Sequence, residues 1–286
     1  MLALVSALGL LAFVWPLLVT SDSALEPVQA PLLFALLLPL LLVIVAAELA
    51  SHSLEVKGLA LLGVLSAVGA ILRPLGAGTA GLEPIFFLIV VGGRVFGPGF
   101  GFLQGAITLF TSALLTAGVG PWLPYQMVAA GFVGLVAGLL PRADGRREIA
   151  LLASWGFSSA FVYGWLMDLA FWPFTLGQST QLSFDPAAGA GGNLQHFVLY
   201  NMATSMGWNL GRAITSVALI IIVAPGLLRV LRRAARRAAF TFPAPDRPRR
   251  LSSTEPDRPR FLSGADGLAD SDDREDQTDG VHPSRA

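Results

Sequence analysis

The sequence predicts an all-α polytopic membrane protein with both termini on the cytoplasmic side. Three observations carry this. More than half of the 286 residues are hydrophobic (54%), only 13% are charged, and the mean hydropathy is +0.66. A soluble globular chain carries about 25% charged residues. The apolar residues gather into runs near the 20-residue length that crosses a bilayer as a helix. The basic residues between those runs alternate from one side to the other.

Eight segments qualify or nearly qualify as spans. The first is Leu2–Thr20, which lacks the basic start of a cleaved signal peptide and is followed at once by a second apolar run, Leu32–Ala50. The third is Gly58–Leu72. The fourth, Pro84–Phe96, is short and closes on GPGFG. The fifth runs from Phe100 to about Thr116, the sixth from Pro124 to Leu140, the seventh from Ile149 to Trp172, and the eighth from Phe197 to Val230. Lys57, Arg94, the loop Arg142–Arg147 and the run Arg229–Arg237 occupy alternate connections, which belong in the cytoplasm. The opposite connections hold a single basic residue, Arg73. From Phe240 to Ala286 the chain is rich in Pro, Arg, Asp and Ser and cannot bury a core, so a disordered cytoplasmic tail is expected. The basic stretch Arg229–Arg237 reads as an anchor on anionic lipid. The lipid bilayer is thus an expected partner, and nucleic acid is not.

Several chemistries find no support. Cys is absent, which removes disulfides and thiolate sites. The only lysine, Lys57, sits in HSLEVK, not at the end of a Gly-rich phosphate loop. ATP, if used, must be handled by a partner. His196 with only a distant carboxylate makes no metal site, so no metal is expected. No Ser/His/Asp or HExxH arrangement suggests an enzyme.

Polar groups inside the apolar body point to a pathway or pocket. Arg212, 16 residues after His196 in segment eight, must face inward and find a partner. Asp168, the only acid after Glu148 in segment seven, is the expected partner, as a structural ion pair or as two groups that reach substrate. Asn201, Ser205, Asn209 and Arg212 share one face if segment eight is a straight helix, with Tyr200, Thr204 and Trp208 beside them. This stripe is either interhelical hydrogen-bond glue or a wet pocket starting at Asn193, Gln195 and His196. Arg73 and Glu83, near helix ends, are expected at the surface. The loop GVGPWLPYQM, Gly118–Met127, places Trp122, Tyr125 and Gln126 on a backbone stiffened by Pro121 and Pro124. In segment three, Gly63/Ala67 and Ser66/Ala70 are spaced four apart, which lets another helix approach closely, from this chain or from another subunit.

The run GGRVFGPGFGFLQGAITLFTSALLTAGVGPWLPYQMVAAGFVGLVAGLLPR, Gly92–Arg142, resembles the substrate-binding S component of energy-coupling factor (ECF) vitamin transporters. It is most similar to the branch with an outer GPW-x-P-x-Q-M element, which includes cobalamin-type S components. The resemblance implies a six-helix S-component-like core (residues 53–238), with residues 1–52 as an extra pair of transmembrane helices and 239–286 as the tail. It implies a multi-pass protein of the cytoplasmic membrane that binds a vitamin at its outer face. It implies docking to a membrane T component and a pair of ATPases, with no cofactor of its own. Gly63, Ser66, Ala67 and Ala70 would form the docking face, where the family carries an Ala-x-x-x-Ala pair. Trp122, Tyr125, Gln126, Asp168, Asn193, Gln195, His196, Tyr200 and Asn201 would bind the vitamin. Aromatic and amide groups suit cobalamin, to which the resemblance leans, and suit riboflavin as well. A rival class, an ion-driven secondary transporter using Asp168 and Arg212, would show an inverted repeat, and no convincing repeat is present.

Overall fold

The computed structural model describes residues 2–18, 56–76, 79, 81–176 and 180–237, with isolated positions at 40, 43 and 47. The segment Leu32–Ala50 and the tail 239–286 lie outside the described residues, apart from those isolated positions. The described chain is nearly all helix. In chain order the helices are α1 (Leu2–Leu18), α2 (Val56–Leu72), α3 (Ile85–Phe96), α4 (Pro98–Leu115), α5 (Leu123–Leu139), α6 (Gly145–Thr175), α7 (Gly189–Thr204), α8 (Met206–Ile222) and α9 (Ala224–Arg237). Three helical stretches are long and apolar enough to cross a membrane: Lys57–Gly76, Pro98–Leu115 and Gly145–Thr175. The bent pair Pro186–Thr204 and Met206–Ile222 adds a fourth if it forms one span.

The short α3 is the centre. Every residue from Ile85 to Gly93 is buried, as a helix apolar on all sides requires. Around it α3, α4 and α5 approach through glycine. A Cβ on Gly101 would lie 2.3 Å from the Gly134 carbonyl oxygen, and one on Gly134 would lie 2.1 Å from that of Gly101. A Cβ on Gly105 would meet the Ala130 carbonyl at 2.3 Å, and one on Gly93 the Gly134 carbonyl at 2.1 Å. Each contact is to backbone, which cannot swing aside. Between lipid-embedded helices the hydrophobic effect supplies no net pull, so close backbone packing must supply it.

At the C-terminal end of α3, Arg94 gathers its neighbours. Its Nε donates to Glu148 at 2.7 Å, and its terminal nitrogens donate to the carbonyls of Leu140, Pro141 and Ala143 at 3.0–3.3 Å. Glu148, in the first turn of α6, also accepts from Arg232 of α9. A carboxylate there complements the helix dipole. Three connections that the charge pattern assigns to one side of the membrane thus meet at one end of the bundle.

Two expectations change. The eighth apolar segment, Phe197–Val230, is three helices. The first two meet at 64° at Ser205. Thr204 Oγ1 bonds back to the Tyr200 carbonyl at 2.8 Å, the kind of side-chain bond that bends helices. Pro225, which lacks an amide hydrogen, opens the third helix. That helix, α9, is amphipathic: Ala224, Leu228 and Leu231 are buried while Arg229, Arg233 and Arg236 are exposed. The first segment, to which the sequence assigns no role, packs into the bundle. Phe13 is 1% exposed and meets Tyr125 edge-on at 5.1 Å, and Trp15 Nε1 donates to the Ala170 carbonyl at 3.2 Å.

Gly101→Ala should therefore cost about 1–3 kcal/mol, the range for overpacking a tight interior. Gly63→Ala, where an added Cβ meets nothing within 4 Å, should leave stability unchanged. Thermal unfolding of the two variants in detergent measures the contrast.

Candidate functional site

The other end of α3 carries a cavity of about 450 Å³. Its construction begins where α2 stops. Arg73 opens a 3-10 turn, Arg73–Gly76, after which the chain folds back: Thr79 N–H donates to the Gly76 carbonyl, and Leu82 N–H to the Thr79 carbonyl. Gly81 adopts φ +91°, and a Cβ there would lie 2.3 Å from the Trp208 carbonyl. Only glycine allows both this left-handed turn and this close approach. The loop therefore lies directly on the backbone of α8 and delivers Glu83 to Arg212.

Glu83 and Arg212 form a two-pronged ion pair. Arg212 Nε donates to Oε2 at 3.1 Å and Nη2 to Oε1 at 3.0 Å. Arg212 Nη1 donates to the Ala160 carbonyl at 3.1 Å and to Asn209 Oδ1 at 3.0 Å. Gly164 makes room for that amide, since a Cβ there would sit 1.8 Å from Asn209 Oδ1. The guanidinium also lies over the rings of Tyr163 (4.9 Å) and Phe86 (5.4 Å), a favourable cation–π placement. The buried cation is thus answered on every side. This corrects two expectations. Arg212 pairs with Glu83, not Asp168, and Glu83 turns inward instead of lying at the surface. Asp168 accepts from Asn201 in the last turn of α7 and from Ser205 at the α7–α8 break.

Across the cavity stands the Gly118–Met127 loop. Trp122 precedes α5, is 45% exposed, and donates Nε1 to the Gly118 carbonyl at 3.3 Å. Gln126, one turn on, accepts from Arg73 Nη2 through Oε1 at 2.9 Å. Tyr163 and Met167 of α6, Ser112 and Thr116 of α4, and Trp208 of α8 complete the walls. The result is a mostly apolar chamber with aromatic faces and a few fixed polar groups, the usual make-up of a small-molecule site.

Of the ligand residues expected from sequence, Trp122 and Gln126 line this cavity. The others lie elsewhere. Tyr125 is buried between Phe13 and Phe171, with ring centroids at 5.1 and 5.2 Å. Asn193 holds Asp185 by two backbone hydrogen bonds of 2.7 and 2.9 Å. His196 Nδ1 meets the Ser183 carbonyl at 3.0 Å. Tyr200 packs beside the fully buried Trp172, Asn201 bonds Asp168, and Gln195 is exposed. Asn193, His196 and Asn201 are used in fastening α7 and the loop before it. The stripe Asn201–Arg212 is interrupted because the helix bends at Ser205. The residues that sequence reasoning did not place here are Arg73, Glu83, Ser112, Tyr163, Met167 and Trp208. Arg73 had left one signal: it is the basic residue that breaks the charge alternation. Among the described residues, no three His, Cys, Asp or Glu side chains gather as metal ligands.

The small-residue face of α2 also divides. Gly63 and Ala67 are exposed, whereas Ser66 (1%) and Ala70 (0%) are buried inside the chain and cannot meet a partner.

The ion pair makes a quantitative prediction. Removing one member of a buried pair strands the other charge. With the Glu83 side chain 25% exposed, Glu83→Gln or Arg212→Gln alone should each cost about 2–3 kcal/mol, somewhat below the fully buried case. The double variant should cost clearly less than the two single costs added, and thermal unfolding of the cycle measures this coupling.

Comparison with known proteins agrees with the architecture. Residues 57–224, more than half of the chain, match the family model for the ECF transporter, substrate-specific component. No curated protein and no solved structure matches the chain. Members of this family are substrate-binding subunits of transporters and not enzymes. The match and the apolar helices together make the protein a multi-pass membrane protein, and the chain belongs to the substrate-specific components of ECF transporters.

Proposed function

We propose that the chain captures a vitamin in the cavity between Arg73, Trp122, Tyr163 and Trp208, with the cavity opening to the outer face of the cytoplasmic membrane. The observation that carries this reading is the cavity itself: a chamber whose polar and aromatic groups converge at the end of α3 opposite the arginine-rich end. The charge pattern puts that arginine-rich end in the cytoplasm. Delivery inward follows docking to a T component bound to a pair of ATPases, which hydrolyse the ATP that this chain has no phosphate loop to bind.

Size bears on the choice of vitamin. The cavity of about 450 Å³ is open on one side and falls within the range of ordinary small-molecule sites. A vitamin of riboflavin's size class enters almost whole. Cobalamin is the second reading, favoured by the GPWLPYQM element. Being several times heavier, it would leave most of its bulk in the cavity mouth. The rival ion-driven mechanism loses support because Asp168 and Arg212 are engaged in separate bonds.

Docking is assigned to the exposed Gly63 and Ala67 on α2, flanked by exposed Val64 and Val68.

Calorimetry or thermal-shift titration against cobalamin, riboflavin, folate, biotin and thiamine should give at least one binder. Trp122→Ala should weaken that binder about tenfold, the scale of a lost aromatic contact. No binding to any vitamin overturns the proposal. Gly63→Leu combined with Ala67→Leu should leave binding intact and abolish uptake by the reconstituted complex. Continued uptake would remove the docking assignment.

A further inference from the structure

We infer that the captured molecule carries an anionic group, a carboxylate or a phosphate, and that Arg73 selects it. The inference rests on the vitamin-capture reading and sharpens it.

The charged groups lining the cavity are Arg73, Glu83 and Arg212. Glu83 spends both oxygens on Arg212, and Arg212 spends Nε, Nη1 and Nη2 on Glu83, Ala160 and Asn209. That pair is electrically neutral toward a ligand. Arg73 differs. Its hydrogen bond goes to a neutral acceptor, Gln126 Oε1, and among the described residues no carboxylate lies within ion-pair distance of it. The cavity therefore presents one net positive charge, on a guanidinium whose other N–H groups remain available. A guanidinium fork fits the paired oxygens of a carboxylate or phosphate, and such charge-assisted bonds are about twice as strong as neutral ones.

One further observation points the same way. Arg73 is the only Lys or Arg in the connections assigned to the outer side, where the positive-inside pattern does not call for a cation.

The test uses the full chain in nanodiscs and three matched pairs: biotin with biotinamide, pantothenate with panthenol, and riboflavin 5′-phosphate with riboflavin. The first two pairs report a carboxylate and the third a phosphate. In at least one pair the anionic member should bind tenfold or more tightly, and its affinity should fall with added salt while that of the neutral member holds. Arg73→Gln should weaken the anion tenfold or more and leave the neutral member within twofold. Arg73→Lys should retain part of the preference. The salt dependence needs no variant, so the inference stays testable if Arg73→Gln fails to fold. Equal, salt-insensitive binding of both members of every pair that binds overturns the role of Arg73 and leaves vitamin capture standing. So does selective binding of thiamine, a cation. Binding of cobalamin with none of the seven compounds bound overturns the inference and leaves vitamin capture standing, whereas absence of binding by all seven and by cobalamin and folate overturns both.

Discussion

A guanidinium held among membrane helices must be answered completely, and the answer to Arg212 organises the cavity end of this protein. Left facing hydrocarbon, it would cost several kcal/mol. Here Glu83 neutralises it, Ala160 and Asn209 accept from its Nη1, and two aromatic rings cover it. Each partner comes from a different part of the chain: the loop before α3, α6, and α8 itself. The demand of one side chain thus fixes how three elements sit. It also explains Gly81, whose left-handed backbone lets the loop settle onto α8 so that Glu83 can reach.

The rest of the bundle is held by two other devices. At the opposite end Glu148 answers Arg94 and Arg232, tying α3, α6 and α9. Between the two ion clusters runs the glycine seam of Gly93, Gly101, Gly105 and Gly134, where backbones touch. Charge is confined to the ends and close packing to the middle, as a low-dielectric interior requires. The cavity sits on the Glu83–Arg212 cluster as its floor, with Trp122 and Trp208 as exposed walls.

The helical runs and the separation of charged ends were legible in the sequence, because apolar periodicity and basic flanks report bilayer crossing directly. Trp122 and Gln126 were legible too, since prolines on both sides mark a shaped loop. The ion pair was not. Asp168 and Glu83 both lie near predicted helix ends, and only the fold-back at Gly76–Gly81 decides which reaches Arg212. The bend at Ser205 was hidden because hydrophobicity continues through it, and a straight helix gave Asn201 to Arg212 a common face that they lack. Asn193 and His196 looked available because backbone groups that need capping leave no trace in composition. The spacing of Gly101 and Gly105 was present in the sequence, but it becomes informative only once the facing Gly134 and Ala130 are known.

The most direct test is a structure of the protein with a bound vitamin retained through purification. The account predicts ligand density between Trp122, Tyr163 and Trp208, a polar end of the ligand at Arg73, and the Glu83–Arg212 pair unbroken beneath it. Density beside Asn193–Asn201, or Arg212 released from Glu83 to hold the ligand, would contradict it.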